Sequence, residues 1–487
     1  MDNQSSDRSL QRGVLGAADS VVMAVAGSAP AYSLTATTAS LVAAVGLAGP
    51  GALLWCGIPM LGIALAFSYL GKADVNAGAA YSWVRRAMHP SLGFFAGWAL
   101  VVSATLFMVA ACLPAGQATI SLFSDNPNPS TALVTSIGAV WFLVMVALVV
   151  AGVKVTTKAQ WIMSSVEIGI LLVVLVMALV HTSAGRHGTP FSWSWFSPGA
   201  FHSVGGFAAG ALVAAFYYWG WDVTSNLNEE SKKSKLNALG GIIGVVIVFL
   251  LFEVYTIITN VTLPSSVTGG DTNVLTDLGN AVGGSAIGKV MVIAVMLSTI
   301  ATLETTLIQV SRSLFAMGRD NTMPKAFGNI HPTRRTPAFA TIVVAVVSLA
   351  LFFGANFIGS VGTVMNDAIL AIGVQIAVYY SLAALSVVIA YRGEIFKSVQ
   401  NMICIGLLPL VGAAFMLFTL EQNLFGSNLD SETKTISLVA LGVGLIPLAV
   451  YWAKKVPYYV KGATLASETE LLDLPPDDLV AEPVPAV

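Results

Sequence analysis

Residues 21–46 read VVMAVAGSAPAYSLTATTASLVAAVG, an apolar run broken at Gly27-Ser28-Ala29-Pro30. Residues 207–227 read FAAGALVAAFYYWGWDVTSNL, a second apolar run that breaks near Gly220. Backbone that leaves the helical ladder inside a bilayer finds no water, and each unpaired amide or carbonyl is costly there. Interrupted backbone therefore survives only where it is buried in protein or lines a polar cavity. Two such breaks, at corresponding places in two halves of one chain, point to a substrate site near the middle of a membrane carrier.

The composition places the remainder in a membrane as well. Of 487 residues 56% are hydrophobic, the mean hydropathy is +0.80, and only 10% are charged. A soluble protein carries roughly 25% charged residues. The 45 glycines fit close helix packing in lipid. Cys56, Cys112 and Cys404 all lie in apolar runs, which argues against a disulfide framework. The first apolar run is too long for a signal-peptide core and reads as a retained helix.

Twelve runs are long enough to cross, at roughly 20 residues each. They cover about 15–45, 50–71, 92–122, 132–152, 159–181, 201–222, 237–262, 286–316, 338–356, 364–391, 401–425 and 435–454. With both termini cytoplasmic, all of the 23 Lys and Arg residues except Arg186, Lys289 and Lys434 fall on the inner side. That asymmetry follows the positive-inside rule and agrees with an even number of spans; a multi-pass location in the cell membrane is expected. The acidic, Pro-rich stretch 456–487 reads as a disordered cytoplasmic tail. The external stretch 182–200 carries Trp193, Trp195 and Phe196, which read as an interfacial aromatic anchor.

Three segments carry a family resemblance. AFSYLGKADVNAGAAYSWVRRAMHPSLGFFAGW, 66–98, resembles the helix 2–helix 3 signature of the amino acid–polyamine–organocation (APC) superfamily. YYWGWDVTSNLNEESKK, 217–233, is similar to that family's helix 6 end, and SRSLFAMGRDNTMPKAFGNIHPTRRTPAFA, 311–340, to its helix 8–helix 9 loop. The resemblance covers about 15–455 and implies an all-α membrane protein with the leucine-transporter-type fold. Its layout would be a cytoplasmic segment 1–14, a first inverted repeat 15–181 (helices 1–5), the linker 182–200, a second repeat 201–391 (helices 6–10), and helices 11–12 in 401–455. Such a bacterial-type amino acid permease, as a monomer or homodimer, would move amino acids or related amines by secondary active transport.

The broken helices supply a chemical reason for that substrate class. Amides near Gly27, Ser28 and Ala29, at the positive end of a half-helix, suit a carboxylate. Carbonyls freed around Phe216 to Trp219 suit an ammonium group. The resemblance carries the family's binding positions onto Gly27, Ser28, Ala29, Phe216, Tyr218, Trp219 and Gly220. Pro30 departs from the family pattern and removes one amide donor. A plain kink between packed helices is the bland alternative for Gly27–Pro30, and core packing the alternative for the aromatic residues.

Carboxyls deep in apolar spans are functional candidates, because an unpaired charge there is expensive. Glu167, Asp222, Glu253 and Glu304 qualify. GVKVTTKAQWIMSSVE, 152–167, resembles a helix 5 segment in which some proton-coupled members carry a lysine at the last position; here it is Glu167. Glu304, in STIATLETTLIQ, has Ser298, Thr299, Thr302, Thr305 and Thr306 as hydroxyl neighbours in sequence, which could build a hydrated network or hold sodium. Glu167, Glu304 and Asp222 are the coupling candidates, with protons favoured over sodium. Asp222 reads alternatively as an N-cap of the resumed half-helix, and Glu253 as structural.

No H-E-x-x-H, G-x-S-x-G or P-loop pattern occurs in a plausible context, and five scattered histidines build no metal site. The chain therefore reads as neither an enzyme nor a cofactor protein, and no nucleic-acid partner is expected. A channel, a transporter-like sensor or a membrane-embedded enzyme are the competing classes. Uptake against exchange, and a neutral against a cationic substrate, stay open at this stage.

Overall fold

Glycine and proline punctuate the apolar runs and decide where helices stop. The computed structural model describes residues 9–124, 126, 129–186, 188–264, 273–355, 361–426, 429–462 and 465. Among them the regular structure is helical, apart from one isolated parallel bridge between Leu15 and Ser231. The first helices are α1 (Ala17–Ser28), α2 (Pro30–Val45) and α3 (Gly49–Ala73). There follow α4 (Ala80–Ala87), α5 (Pro90–Phe123), α6 (Thr131–Ala151) and α7 (Val153–Ser183). The second half contains α8 (Val204–Tyr217), α9 (Val223–Asn226), α10 (Ser234–Thr262), α11 (Val274–Gly283), α12 (Ser285–Arg319), α13 (Ala338–Ala355) and α14 (Val361–Ala390). The last helices are α15 (Val399–Leu424), α16 (Ser431–Ala453) and the short α17 (Pro457–Val460).

Ten helical stretches among the described residues are long and apolar enough to cross a membrane. The sequence expectation is twelve, and two local features bear on that count. The first stretch is a continuous 57 residues, Ala17–Ala73. At about 1.5 Å per residue it would be nearly three times the ~30 Å of hydrocarbon, so it has to fold back. It is divided at Ala29, whose φ of 48° is left-handed, and again at the turn Gly46–Ala48. The other feature is α8, which has only 14 residues before the chain breaks at Gly220.

Local chemistry sets the helix starts. Pro30 occupies the first turn of α2, where its missing N–H is a donor that no helical carbonyl would have used. Ser203 accepts from the Gly206 amide at 2.9 Å to cap α8, and Asp430 from Thr433 at 2.6 Å to cap α16. The centre of the bundle is α12, whose residues from Ser298 to Gly318 are all buried. It packs on α5, α7, α1 and α2, while α8 lies against α2, α3 and α14. At the periphery α6, α13 and α16 expose rows of apolar side chains such as Val140, Val346 and Ile446, as lipid-facing helices do.

The chain beyond α16 departs from the reading of 456–487 as a disordered tail. Residues 466–487 lie outside the described residues, but α17 docks. Tyr458 is 2% exposed, stacks on Tyr81 at 4.7 Å and donates to the Tyr81 carbonyl, while Arg85 lies over its ring. Two adjacent tyrosines bury enough ring surface to hold so short a helix. The predicted aromatic anchor folds partly inward. Trp193 is exposed, whereas Trp195 is buried and the Trp55 indole donates to the Phe196 carbonyl at 3.0 Å.

Candidate functional site

Both sequence breaks are breaks in the structure, and they touch. At the first, Ala29 takes the left-handed conformation and its amide closes α1 on the Val25 and Ala26 carbonyls. The carbonyls left over find hydroxyl donors: Thr302 donates to Gly27 at 3.0 Å and Ser33 to Ser28 at 2.8 Å. The amides left over at the start of α2 are those of Ala31 and Tyr32, one turn later than the Gly27–Ala29 group expected from sequence. Ala31 donates to Glu167 Oε1 at 3.0 Å and Tyr32 to Ser298 Oγ at 3.1 Å. The break is thus satisfied by α7 and α12.

At the second break α8 ends on Tyr218, and Gly220 turns the chain with φ 98°. Val223 then donates to the Gly220 carbonyl at 3.2 Å to restart the helix as α9. A methyl group built on Gly27 would lie 2.2 Å from the Gly220 carbonyl oxygen. Glycine is the one residue that lets the two backbones approach so closely.

Four aromatic rings from α2, α5 and the chain around the second break pack against one another. Tyr32 meets Phe107 edge-on at 5.7 Å and Phe216 at 6.5 Å; Phe107 meets Phe216 at 6.1 Å and Trp219 at 5.4 Å. All four are buried. The Tyr32 hydroxyl is buried without a hydrogen-bond partner. Buried hydroxyls are normally paired, and this one is an exception at the aromatic cluster. Of the residues expected at the site, Gly27, Ser28, Ala29, Phe216, Trp219 and Gly220 gather here. Tyr218 turns away: its hydroxyl donates to the Leu53 carbonyl at 3.1 Å and its ring lies near Phe249.

The carboxyl candidates occupy three different settings. Gln160, Ser164 and Glu167 follow one face of α7, and α12 answers with Glu304, Ala301 and Ser298. Gln160 Nε2 donates to Glu304 Oε2 at 2.6 Å and to the Ala301 carbonyl at 2.8 Å. Glu167 Oε2, Glu304 Oε1 and the Ser164 hydroxyl are buried and unpartnered. The threonines expected to surround Glu304 serve the backbone instead: Thr299 bonds the Val295 carbonyl and Thr305 those of Ala301 and Thr302. A hydroxyl within its own helix finds the carbonyl one turn back before it finds a neighbouring side chain.

Asp222 stands at the N-cap position of α9 but makes no side-chain cap. Its Oδ2 accepts from Gln309 Nε2 at 2.8 Å and from the Tyr379 hydroxyl at 3.0 Å, and its Oδ1 from the Tyr380 hydroxyl at 3.1 Å. Three donors from α12 and α14 outcompete the short helix for this carboxylate. Glu253 lies on α10, with one oxygen buried and unpartnered. No cluster of three or more His, Cys, Asp or Glu capable of holding a metal occurs among the described residues.

Sequence reasoning missed Tyr32, Phe107, Gln160, Gln309, Tyr379 and Tyr380. Tyr32 could have been found, since it lies two residues beyond Pro30. The others come from distant helices and carry no local signal. Arg312, read from sequence as an inner-side cation, is buried and forms a two-point ion pair with Glu230, Nε–Oε2 2.7 Å and Nη2–Oε1 3.1 Å.

A family model described as "Amino acid permease" matches residues 19–446. The low-affinity putrescine importer PlaP of Escherichia coli is 26% identical over 410 residues, 82% of this chain and 85% of that protein. The branched-chain amino acid permease BcaP of Bacillus subtilis is 25% identical over 367 residues, covering 71% and 76% of the two chains. The vacuolar cationic amino acid transporter 4 of Arabidopsis thaliana is 23% identical over 409 residues, covering 78% and 66%.

Proposed function

The chain belongs to the amino acid permease family, and from that premise we propose that it moves amino acids or related amines across the cell membrane by proton-coupled alternating access. It is a multi-pass membrane permease, not an enzyme. The observation that carries the mechanism is the direct contact of the two helix breaks at Gly27 and Gly220, with Tyr32 close after the first break and Phe216 and Trp219 just before the second, packed together with Phe107. Substrate binds there, against Gly27, Ser28, Ala29, Phe216, Trp219 and Gly220, with Tyr218 backing the second break from behind. Movement of α1 and α9 about the breaks opens the site to one side or the other.

In this reading α1 with α2, and α8 with α9, each make one crossing. Together with α3, α5, α6, α7, α10, α12, α13, α14, α15 and α16 they give twelve. Residues 15–181 and 201–391 are then the two inverted repeats, helices 11–12 occupy 401–455, and both termini are cytoplasmic. Glu167 couples the proton to the break because its carboxylate holds the Ala31 amide. Protonation weakens that acceptor and loosens the start of α2. Glu304, tied to the same α7 face through Gln160, is the second proton-binding group.

Proteoliposomes test the reading. Labelled putrescine, lysine and leucine should show counterflow when the same compound is loaded inside, and net uptake should rise with an inward proton gradient. A channel would show flux without stimulation from the opposite side, and that result would overturn the carrier assignment.

A further inference from the structure

Cations crowd the point where the chain enters α10. Lys232, Lys233 and Lys235 are all exposed there. Arg12, also exposed, is brought to the same place by the N-terminal segment. The Val14 and Leu15 amides donate to the Glu230 carbonyl at 2.9 and 3.1 Å, and the Lys232 amide donates to the Leu15 carbonyl at 2.8 Å. The carboxylates nearest in sequence are committed elsewhere. Glu229 is bonded to Arg319 at 3.0 and 3.2 Å, Glu230 to Arg312, and Asp19 to the Gly16 amide and the Trp161 indole. Among the described residues Arg12, Lys232 and Lys235 have no ion pair. Gathered like charges repel one another, and an anion seated among them relieves that repulsion.

The backbone adds to the patch. α10 is 29 residues long, and its N-cap, Lys233, supplies no side-chain acceptor to the first-turn amides. Its positive end is therefore open to an anion. Ser234, the first residue of the helix and 8% exposed, keeps a buried hydroxyl with no hydrogen-bond partner.

Beyond Lys235 the exposed face of α10 turns apolar. Leu236, Leu239, Ile243, Val246 and Leu250 are 39–55% exposed and recur every three or four residues, which makes one stripe along the helix. A cationic head above an apolar stripe matches one kind of molecule, an anionic phospholipid. A soluble phosphate shares the headgroup chemistry but leaves the stripe uncovered. A zwitterionic lipid covers the stripe but brings its own ammonium to the lysines.

We propose that the start of α10 binds an anionic phospholipid, with its phosphate among Arg12, Lys232, Lys233 and Lys235 and its acyl chains along Leu236 to Leu250. In the proposed orientation the patch faces the cytoplasmic leaflet, where anionic lipids concentrate. The lipid site is separate from the two helix breaks, and binding in detergent depends neither on the orientation nor on the substrate. Arg12 meets the lysines only in the folded chain, so the lipid stabilises the fold.

The test titrates purified full-length protein in detergent with dioleoylphosphatidylglycerol while thermal unfolding is followed. The unfolding temperature should rise with this lipid, and not with dioleoylphosphatidylcholine or inorganic phosphate at the same concentrations. Lys232→Ala combined with Lys235→Ala should raise the half-saturating lipid concentration about tenfold or more, with unfolding in lipid-free detergent unchanged. Lys454→Ala with Lys455→Ala removes two exposed lysines at the end of α16 and should leave the response as in the wild type. If the first double variant unfolds early without lipid, Arg12→Gln, which lies outside the helix, decides in its place. An undiminished response in a well-behaved Lys232 and Lys235 variant overturns the inference. An equal loss in the Lys454 and Lys455 variant does so too, because net charge is then the cause. A matching effect of phosphatidylcholine or of inorganic phosphate also overturns it, since either the cations or the stripe then plays no part.

Discussion

Gly27 and Gly220 stand face to face with no space for a side chain on either. A methyl on Gly27 would meet the Gly220 carbonyl oxygen at 2.2 Å, and a methyl on Gly220 would meet that of Gly27 at the same distance. The contact joins two helices that are nearly two hundred residues apart in the chain, and each contributes its least regular backbone to it.

Gly27→Leu should therefore abolish transport in a protein that still reaches the membrane. The helices have to separate to admit the side chain, and overpacking of this kind costs about 1–3 kcal/mol or more. Gly220→Ala carries a further penalty, since its φ of 98° is one that a side chain rarely adopts. Surface expression and labelled uptake measured together are the check; normal uptake by Gly27→Leu would show that the breaks are not the site.

Glu167→Gln and Glu304→Gln separate proton coupling from plain exchange. Both changes keep the side chain's size and remove its capacity to titrate. At least one should abolish uptake driven by an acidic exterior while sparing counterflow, and Glu167 is the expected one because it holds the Ala31 amide directly. In the wild type, uptake should fall as the outside pH rises. If both variants keep net uptake and its pH profile, exchange without protons is the better account.

Arg312 and Glu230 predict a stability effect distinct from transport. Their side chains are 1% and 0% exposed, and removing one partner of such a pair costs about 3–5 kcal/mol because a charge is left buried alone. Arg312→Met should lower the thermal unfolding temperature in detergent sharply. The double variant Arg312→Met with Glu230→Met should recover much of the loss. Equal damage from the single and double changes would mean that the pair acts through something other than its charge.

Topology can be read with single cysteines in a background where Cys56, Cys112 and Cys404 are replaced. Ser194 and Ser398 are both exposed. With the termini inside, a cysteine at Ser194 should react with an impermeant reagent in intact cells and one at Ser398 should not. The opposite pattern would invert the proposed orientation.

The sequence by itself determined the membrane class, the apolar helices and the position of both breaks. Those features are written in local chemistry: a run of apolar residues, a glycine that permits a left-handed turn, a proline that starts a helix. It also marked Glu167 and Asp222, because a carboxyl in an apolar span stands out whatever surrounds it. What only the tertiary structure decided is how each of them is partnered. Glu167 bonds an amide 136 positions away, and Asp222 is held by Tyr379 and Tyr380 from α14 instead of capping its own short helix. The same holds for the threonines around Glu304, of which Thr299 and Thr305 turned to their own helix and Thr302 to the Gly27 carbonyl, and for Arg312, which went inside. Composition and period say which side chains avoid lipid. Which donor meets which acceptor depends on the packing of helices distant in sequence, and no local pattern records that.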